Sequence, residues 1–196
     1  PDISNDPVIG SDVNASCNNL TVNSGATLTI ESSSSGTGSL IVNGTASGDV
    51  TVERFLPADK WHYISGQTNI SDNFNVLNMG LGTPGSTSNQ FYRWEEDYDN
   101  GGNIGNWVDI LNGEDGTGDN TLMDDEGFVD CKGYAIAYAG SDKTLSLSGV
   151  PYITDQSIQI TKTTNSTGEA SNLVGNPFSS TIAINDNADA GTNFLD

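Results

Sequence analysis

Between residues 131 and 178, apolar side chains recur at every second position, and turn residues separate the runs. The alternating residues are, in chain order, Tyr134, Ile136, Tyr138, Leu145, Leu147, Ile158 and Ile160, followed by the closing segment 173–178. A period of two with β-branched and aromatic residues is typical of pleated strands that bury one face. Turn-forming residues at 140–142 and 164–168 separate these runs. The chain is therefore expected to fold as β-sheets.

A second pattern covers residues 14–52, where apolar pairs return after steps of about 20 residues. The pairs are Leu20/Val22, Leu28/Ile30, Leu40/Val42 and Val50/Val52. Such a step predicts coils of a β-solenoid, in which inward residues of one coil stack on the next. An antiparallel meander is the alternative, because Asn23-Ser24-Gly25 and Asn43-Gly44 are also good hairpin turns. The Ser/Gly/Thr-rich residues 32–38 are interpreted as a surface loop.

Near Leu56 the spacing changes and aromatic residues begin. We predict an all-β chain with short β-solenoid-like coils over residues 1–57, followed by an antiparallel, jelly-roll-like β-sandwich over residues 58–196. About two coils are too few for independent stability, so the first segment is expected to pack on its neighbour or to extend an array upstream. Further strands are predicted at 61–65 and 91–94. The chain begins at Pro1 without a Met, which suggests a piece of a longer protein.

Charge narrows the function classes. The chain carries 26 acidic and 6 basic residues, a formal net charge of −20. Such a surface repels nucleic-acid phosphates and anionic lipids, so neither is an expected partner. No apolar run is long enough for a transmembrane helix, so membrane insertion is not expected. The two cysteines, Cys17 and Cys131, match no metal-binding spacing and form either one long-range disulfide or two separately buried thiols.

The acidic residues are concentrated between Glu95 and Asp130, a span with 12 acids and no Lys or Arg. Alternate carboxylates followed by glycine partly fit the rule for a calcium loop. The pattern departs from an EF-hand at Gly101 and Val108, so a looser calcium site on a loop is predicted. Its candidate ligands are Asp97, Asp99, Asn103, Asp109, Asp115 and Asp119. A weaker match to the same spacing occurs within residues 185–196.

Aromatic residues are interspersed with these acids. The candidates for stacking on sugar rings are Tyr92, Trp94, Tyr98 and Trp107. Rings beside polar loops on a β scaffold suit glycan binding without cleavage, although Trp94 and Trp107 packed in the core is an equal alternative. Paired acids such as Glu95 and Asp97 also raise glycoside hydrolysis. Acids in a glycine-rich loop are not held at a defined separation, so catalysis is the less favoured hypothesis.

Histidine and serine chemistry is likewise disfavoured. His62 is the single histidine, and Ser65 follows in the same predicted strand. Neighbours along a strand point to opposite faces, and Ser65 lacks the glycine-flanked elbow of a nucleophilic serine. A structural role is predicted for both residues.

Several phrases of the chain occur in a consistent order and cover most of its length. They are Ser16-Cys17-Asn18-Asn19-Leu20-Thr21-Val22, Gly25-Ala26-Thr27-Leu28-Thr29-Ile30, Val52-Glu53-Arg54-Phe55, Trp61-His62-Tyr63-Ile64-Ser65, Gly133-Tyr134-Ala135-Ile136 and Leu173-Val174-Gly175-Asn176-Pro177-Phe178. Together they resemble a recurrent module of large secreted proteins of Bacteroidetes, often exported by type IX secretion. The resemblance implies an extracellular, all-β, non-catalytic region of a surface adhesin or polysaccharide-degrading enzyme. It supplies no catalytic residues.

The sequence therefore predicts a secreted, cell-surface module that binds carbohydrate or mediates adhesion, with calcium stabilising its acidic loops. Its expected partners are a polysaccharide or surface glycan and the flanking domains of the parent protein. The main alternative is a structural spacer or stalk of a surface protein. A polysaccharide hydrolase or lyase is the less favoured alternative.

Overall fold

The computed structural model describes residues 6–70, 80, 89–99, 104–110, 128–162 and 171–182. Within these residues the chain is all-β, as predicted, and contains no helix. The strands are β1 (Val8–Ile9), β2 (Asn14–Cys17), β3 (Leu20–Thr21), β4 (Leu28–Ile30), β5 (Ser32–Ser33), β6 (Gly36–Thr37), β7 (Ser39–Val42), β8 (Ala46–Ser47), β9 (Val50–Leu56), β10 (Trp61–Ile64), β11 (Thr68–Ile70), β12 (Gln90–Asp99), β13 (Ile104–Asp109), β14 (Tyr134–Ala137) and β15 (Lys143–Pro151).

The N-terminal strands pair in parallel. β4 lies between β1 and β9, and Leu28 pairs with Val50 in register. β2 pairs with β7, and β3 with β8, also in parallel. The aliphatic side chains of this region form one core cluster: Leu28, Ile30, Leu40, Val50 and Val52. The predicted step from Leu28 to Val50 is therefore the step that joins two paired strands.

Three expectations for this region need correction. Leu20 pairs with Ala46 and not with Leu40, because the chain between them is lengthened by the short antiparallel hairpin β5–β6. That hairpin replaces the predicted surface loop at 32–38. Its Ser32 is buried and accepts a 2.9 Å hydrogen bond from the Phe55 amide. The turns at Asn23-Ser24-Gly25 and Asn43-Gly44 do not join antiparallel neighbours, since the strands that flank each turn pair with other strands.

Antiparallel sheets form the remainder of the described structure. β9 pairs with β15 from Val50–Gly149 to Leu56–Lys143, and β11 pairs with the other edge of β15. A separate four-stranded sheet has the order β10-β14-β12-β13 and is antiparallel throughout. The second core cluster takes side chains from both sheets: Leu56, Ile64, Phe91, Ile110, Tyr134, Ile136, Tyr138, Leu145 and Leu147. The two sheets therefore bury one face each against a shared core.

The C-terminal part of the alternating pattern behaves differently from its prediction. Residues 152–162 form no strand, and Ile160 is 57% exposed. Two isoleucines alone give a period-two signal, but a strand also needs a neighbour whose backbone completes its hydrogen bonds. Segment 173–178 forms no strand but contributes a bridge between Val174 and Lys132. Two backbone bonds flank it, from the Gly133 amide to the Leu173 carbonyl at 2.8 Å and from the Gly175 amide to the Cys131 carbonyl at 2.7 Å. The predicted turn at 164–168 lies outside the described residues.

Both cysteines are free thiols. Cys131 is buried and has φ of 60°, and its burial together with the neighbouring Asp130 raises the pKa of its thiol. Cys17 is half-buried at the end of β2. The disulfide alternative is thus not realised, and only one of the two thiols is fully enclosed.

Candidate functional site

The outward face of the four-stranded sheet is built from rings. Across β10, β14 and β12, Tyr63 lies opposite Ala135, and Ala135 lies opposite Tyr92. Paired residues on neighbouring strands point to the same side, and so do residues two apart on one strand. We call this side the aromatic face, and its residues are Trp61 and Tyr63 from β10, Tyr92 and Trp94 from β12, Trp107 from β13, and Ala135 and Ala137 from β14.

The rings contact each other in pairs. Trp61 and Tyr92 have ring centroids 5.6 Å apart, and Trp94 meets Trp107 edge-to-face at 5.5 Å. Tyr63 and Trp107 are 6.3 Å apart with planes only 10° from parallel, although their strands are separated by β14 and β12. Aromatic pairs in such arrangements are stabilised by about 0.5–1.5 kcal/mol beyond the area they bury. The rings therefore hold one another in place.

A depression of about 310 Å³ lies among these rings. Its base is Ala135, and its sides are Trp61, Tyr63, Tyr92 and Trp107. The small side chain of Ala135 in β14 leaves room that a larger residue would fill. The walls are accessible, since Trp61 is 55% and Tyr63 is 71% exposed. A contiguous patch of exposed apolar side chains with a polar rim is typical of an interaction site or a ligand-binding groove.

Polar groups border the aromatic face. Asp59, Lys60 and Gln90 line a neighbouring depression that also contacts Trp61. Asp59 adopts φ of 57°, and its carboxylate accepts a 3.1 Å bond from the Gly140 amide. A mainly aromatic surface with a few fixed polar groups at its border is the usual composition of a small-ligand site.

The structure brings together three of the four aromatic residues proposed from sequence. Tyr92, Trp94 and Trp107 all belong to the aromatic face, and the Trp94 indole donates a 2.5 Å bond to the Ser171 carbonyl. Tyr98 lies further along β12, within the register shift between Glu95 and Asp99, and its side chain is not among those described. Trp94 and Trp107 are half-buried and lie outside both core clusters.

Trp61 and Tyr63 were missed as site residues, although they are the most exposed rings of the site. The available signal was their own spacing in Trp61-His62-Tyr63-Ile64. The two rings are two positions apart and exposed, whereas Ile64 is buried. In a strand with Ile64 directed to the core, the two rings must point to the opposite side.

The proposed metal ligands are not gathered at one place in the described chain. Asp97 is exposed, whereas Asp109 is buried opposite Tyr92, about 16 Å away along β12 at 3.3 Å per residue. Asp99 ends β12 and only its backbone is described, and Asn103, Asp115 and Asp119 lie outside the described residues. Among the residues that are described, no three His, Cys, Asp or Glu side chains converge on a common point.

The acidic span also begins differently from its prediction. The strand predicted to end at Trp94 continues to Asp99, so Glu95 to Asp99 lie in β12 and not in a loop. Glu95 is neutralised by residues on either side of the acidic span, since Arg93 Nε lies 2.8 Å and Lys132 Nζ 2.5 Å from its Oε1. The ladder with β13 explains the extension, because backbone hydrogen bonds form regardless of side-chain charge.

His62 and Ser65 contact backbone carbonyls rather than each other. His62 Nε2 lies 2.9 Å from the Pro57 oxygen, and Ser65 Oγ donates to the Asn176 oxygen at 2.6 Å. Both residues therefore tie the sheet to neighbouring loops.

Comparison of the chain with protein-family models, with curated proteins and with solved structures finds no match. Over the described part of the chain there is also no helix with the length and apolarity needed to cross a bilayer.

Proposed function

We propose that this chain is a non-catalytic module of a larger secreted, cell-surface protein, and that its aromatic face binds a polysaccharide or surface glycan. The exposure of Trp61 and Tyr63 around the Ala135 depression carries the proposal. The C–H side of a sugar ring is apolar and stacks on an aromatic plane, while its hydroxyl groups need polar partners at the border. Asp59, Lys60 and Gln90 supply such partners beside Trp61.

A binding role is favoured over hydrolysis by the state of the candidate acids and bases. A general acid must be protonated and positioned beside the scissile bond. The Glu95 carboxylate is engaged in ion pairs with Arg93 and Lys132. His62 and Ser65 make bonds to backbone carbonyls. None of these contacts prepares a proton donor or a nucleophile.

For the scaffold, we propose that the parallel strands of residues 8–52 form β-solenoid-like coils and that the antiparallel sheets form a jelly-roll-like sandwich. The parallel registers of β1, β4 and β9 support the coils, and the shared core between the sheets supports the sandwich. The proposed boundary near residue 57 accords with the change from one core cluster to the other along β9. Calcium bound by the acidic residues between Glu95 and Asp130 is part of the same proposal.

A spacer or stalk remains the second candidate, and the parallel strands favour it. Stacked coils extend a protein along one axis. Within the described residues β1 is an edge strand, so a further coil can pair with it. A spacer does not require exposed rings, so binding experiments on the aromatic face separate the two functions.

The direct test is a glycan array, followed by affinity electrophoresis in gels that contain algal or plant polysaccharides. We expect Trp61→Ala and Trp107→Ala to weaken binding by at least about tenfold each, from lost stacking. Ile41→Ala is the matched control, because Ile41 is about as exposed as Trp61 but lies in β7 among the parallel strands. A wild-type protein that binds no glycan, with or without calcium, contradicts the proposal.

A further inference from the structure

A second cavity lies beside the aromatic face, and Tyr63 lines both. This cavity has a volume of about 250 Å³, several times the roughly 30 Å³ that one water occupies in the liquid. Its polar lining residues are Arg54, Ser65, Gln67 and Asn176. The two depressions are therefore neighbours that meet at Tyr63.

Arg54 occupies an unusual position for a charged residue. It lies opposite the buried Leu145, and its neighbours two residues away, Val52 and Leu56, are buried in the two core clusters. Arg54 is thus in the core-facing row of β9, and its long side chain carries the guanidinium to the cavity. Burial lowers the pKa of Arg54 to about 10, so the group is still positively charged at neutral pH.

The charge of Arg54 has no carboxylate partner in the described structure. Among the described residues, its side chain makes one hydrogen bond, from Nη1 to the Glu53 carbonyl oxygen at 2.6 Å. By contrast, Arg93 and Lys132 both contact Glu95. The residue is half-buried, so a guanidinium with five N–H donors and a single protein acceptor has donors left for a ligand.

The other polar groups of the cavity differ in whether they have hydrogen-bond partners. Ser65 donates to the Asn176 oxygen, and the Asn176 side chain bonds to Ser180 and Phe178. Gln67 differs, because its Oε1 is buried with no hydrogen-bond partner in the part of the chain that the structure describes, and the residue is only 7% exposed. The cavity therefore presents one cationic donor and one neutral acceptor.

We propose that this cavity binds the carboxylate of a uronic-acid residue within a polysaccharide whose neighbouring sugars lie on the aromatic face. This inference rests on the proposed function and names its ligand class. A planar carboxylate accepts two N–H bonds from a guanidinium, and this geometry matches arginine better than lysine. Gln67 Oε1 accepts a hydroxyl group of the same sugar. The carboxylate of the ligand thus supplies the anionic partner that the Arg54 guanidinium lacks in the described structure.

The test compares an oligogalacturonate with the same oligomer after its carboxylates are reduced to hydroxymethyl groups. Affinities are measured by calorimetry at about 0.15 M salt, where a Debye length of about 8 Å screens the rest of the acidic surface. We expect the wild-type protein to bind the acidic oligomer about 10- to 100-fold more tightly, as for a hydrogen bond to a charged group. Arg54→Gln should remove this preference.

Lys143→Gln is the matched control, since it removes the same charge from an exposed position of the same sheet and should keep the preference. Arg54→Lys should retain only part of it. If Arg54→Gln does not fold, the wild-type preference and its reduction in Gln67→Met still test the claim.

Each failure has a separate meaning. Equal wild-type affinity for both oligomers, with loss of both in Trp61→Ala, overturns the uronate assignment and leaves the proposed function intact. No binding of either oligomer or of any other glycan overturns both. Thermal stabilisation by acetate or sulfate that depends on Arg54, without preference for the acidic oligomer, identifies a free-anion site and overturns the assignment.

Discussion

The parallel strands of residues 8–52 and the four-stranded antiparallel sheet use side chains in opposite ways. No aromatic residue occurs in residues 1–52, and the core of that region is aliphatic. The antiparallel sheet carries rings on both sides. Phe91 and Tyr134 stack in the core with centroids 5.5 Å apart, whereas Trp61 and Tyr63 lie on the aromatic face.

This difference follows from how each region is stacked. In the parallel strands, equivalent residues of successive strands stack on one another, and leucine, isoleucine and valine side chains fill the interior. An antiparallel sheet in a two-layer fold needs only one buried face. Its second face is available for rings that serve binding, and β9 joins the two regions by contributing to both core clusters.

The largest expected effect comes from Phe91→Ala in the core beneath the aromatic face. Phe91 is fully buried and packs on Tyr134 and Phe128, so its truncation should lower the free energy of unfolding by about 3–5 kcal/mol. Tyr63→Ala, on the opposite face and 71% exposed, should change it by less than about 1 kcal/mol. Chemical denaturation measures both values.

Glycan binding should show the reverse order among folded variants. Tyr63→Ala is expected to lose affinity, while Phe91→Ala should keep it at a temperature where the variant is still folded. Equal destabilisation by the two substitutions would mean that the aromatic face is structural, and the contrast between the two sides of the sheet would be wrong.

The next largest effect tests the parallel region through Gly48. Gly48 has φ of 79°, and a Cβ atom there would lie 1.9 Å from the Val22 carbonyl oxygen. Gly48→Ala should therefore cost about 3 kcal/mol or more, from backbone strain and overpacking together. Gly25 is the matched control, because its φ of 83° is similar but no atom lies within 4 Å of an added Cβ. Gly25→Ala should cost only about 1–2 kcal/mol.

The same variant shows whether the two regions unfold together. All rings lie after residue 52, so near-ultraviolet circular dichroism reports on the antiparallel region alone. Because β9 pairs with β4 on one edge and with β15 on the other, we expect one transition in Gly48→Ala at both near- and far-ultraviolet wavelengths. An early far-ultraviolet loss with an intact aromatic signal would show that they are independent units.

Local sequence patterns were sufficient to predict strands, but not to predict which distant strand each one pairs with. The alternation of Leu145 with Leu147 and of Val50 with Val52 predicted strands that the structure contains. The pairing of Leu20 with Ala46 was not predictable, because alanine gives no apolar signal and parallel partners leave no turn between them. The extension of β12 to Asp99 was not predicted either, because an acidic composition favours a loop. The strand forms there because its backbone pairs with that of β13.

The candidate site was only half predictable for a related reason. Tyr92, Trp94 and Trp107 were selected for their closeness to acidic residues in sequence, yet what unites them with Trp61 is a shared sheet face. That face depends on which strands become neighbours. The ion pair of Lys132 with Glu95 is equally non-local, and no pattern in the acidic span indicates it.

Calcium binding is expected to give the smallest of these changes in stability. It also distinguishes the antiparallel sheet from the parallel strands. The acidic span begins in β12 at Glu95 and ends before β14 at Asp130, so we expect calcium to stabilise the antiparallel sheet and raise the midpoint of the near-ultraviolet transition. An ion that binds only the folded chain adds about 2.7 kcal/mol at a hundredfold excess over its Kd. Asp97→Asn should reduce this gain, whereas Asp49→Asn, in the parallel region, should not. Sodium chloride at the same ionic strength controls for screening. A midpoint that is equal in millimolar calcium, chelator and sodium chloride would contradict a specific site, because general screening acts on every exposed carboxylate alike.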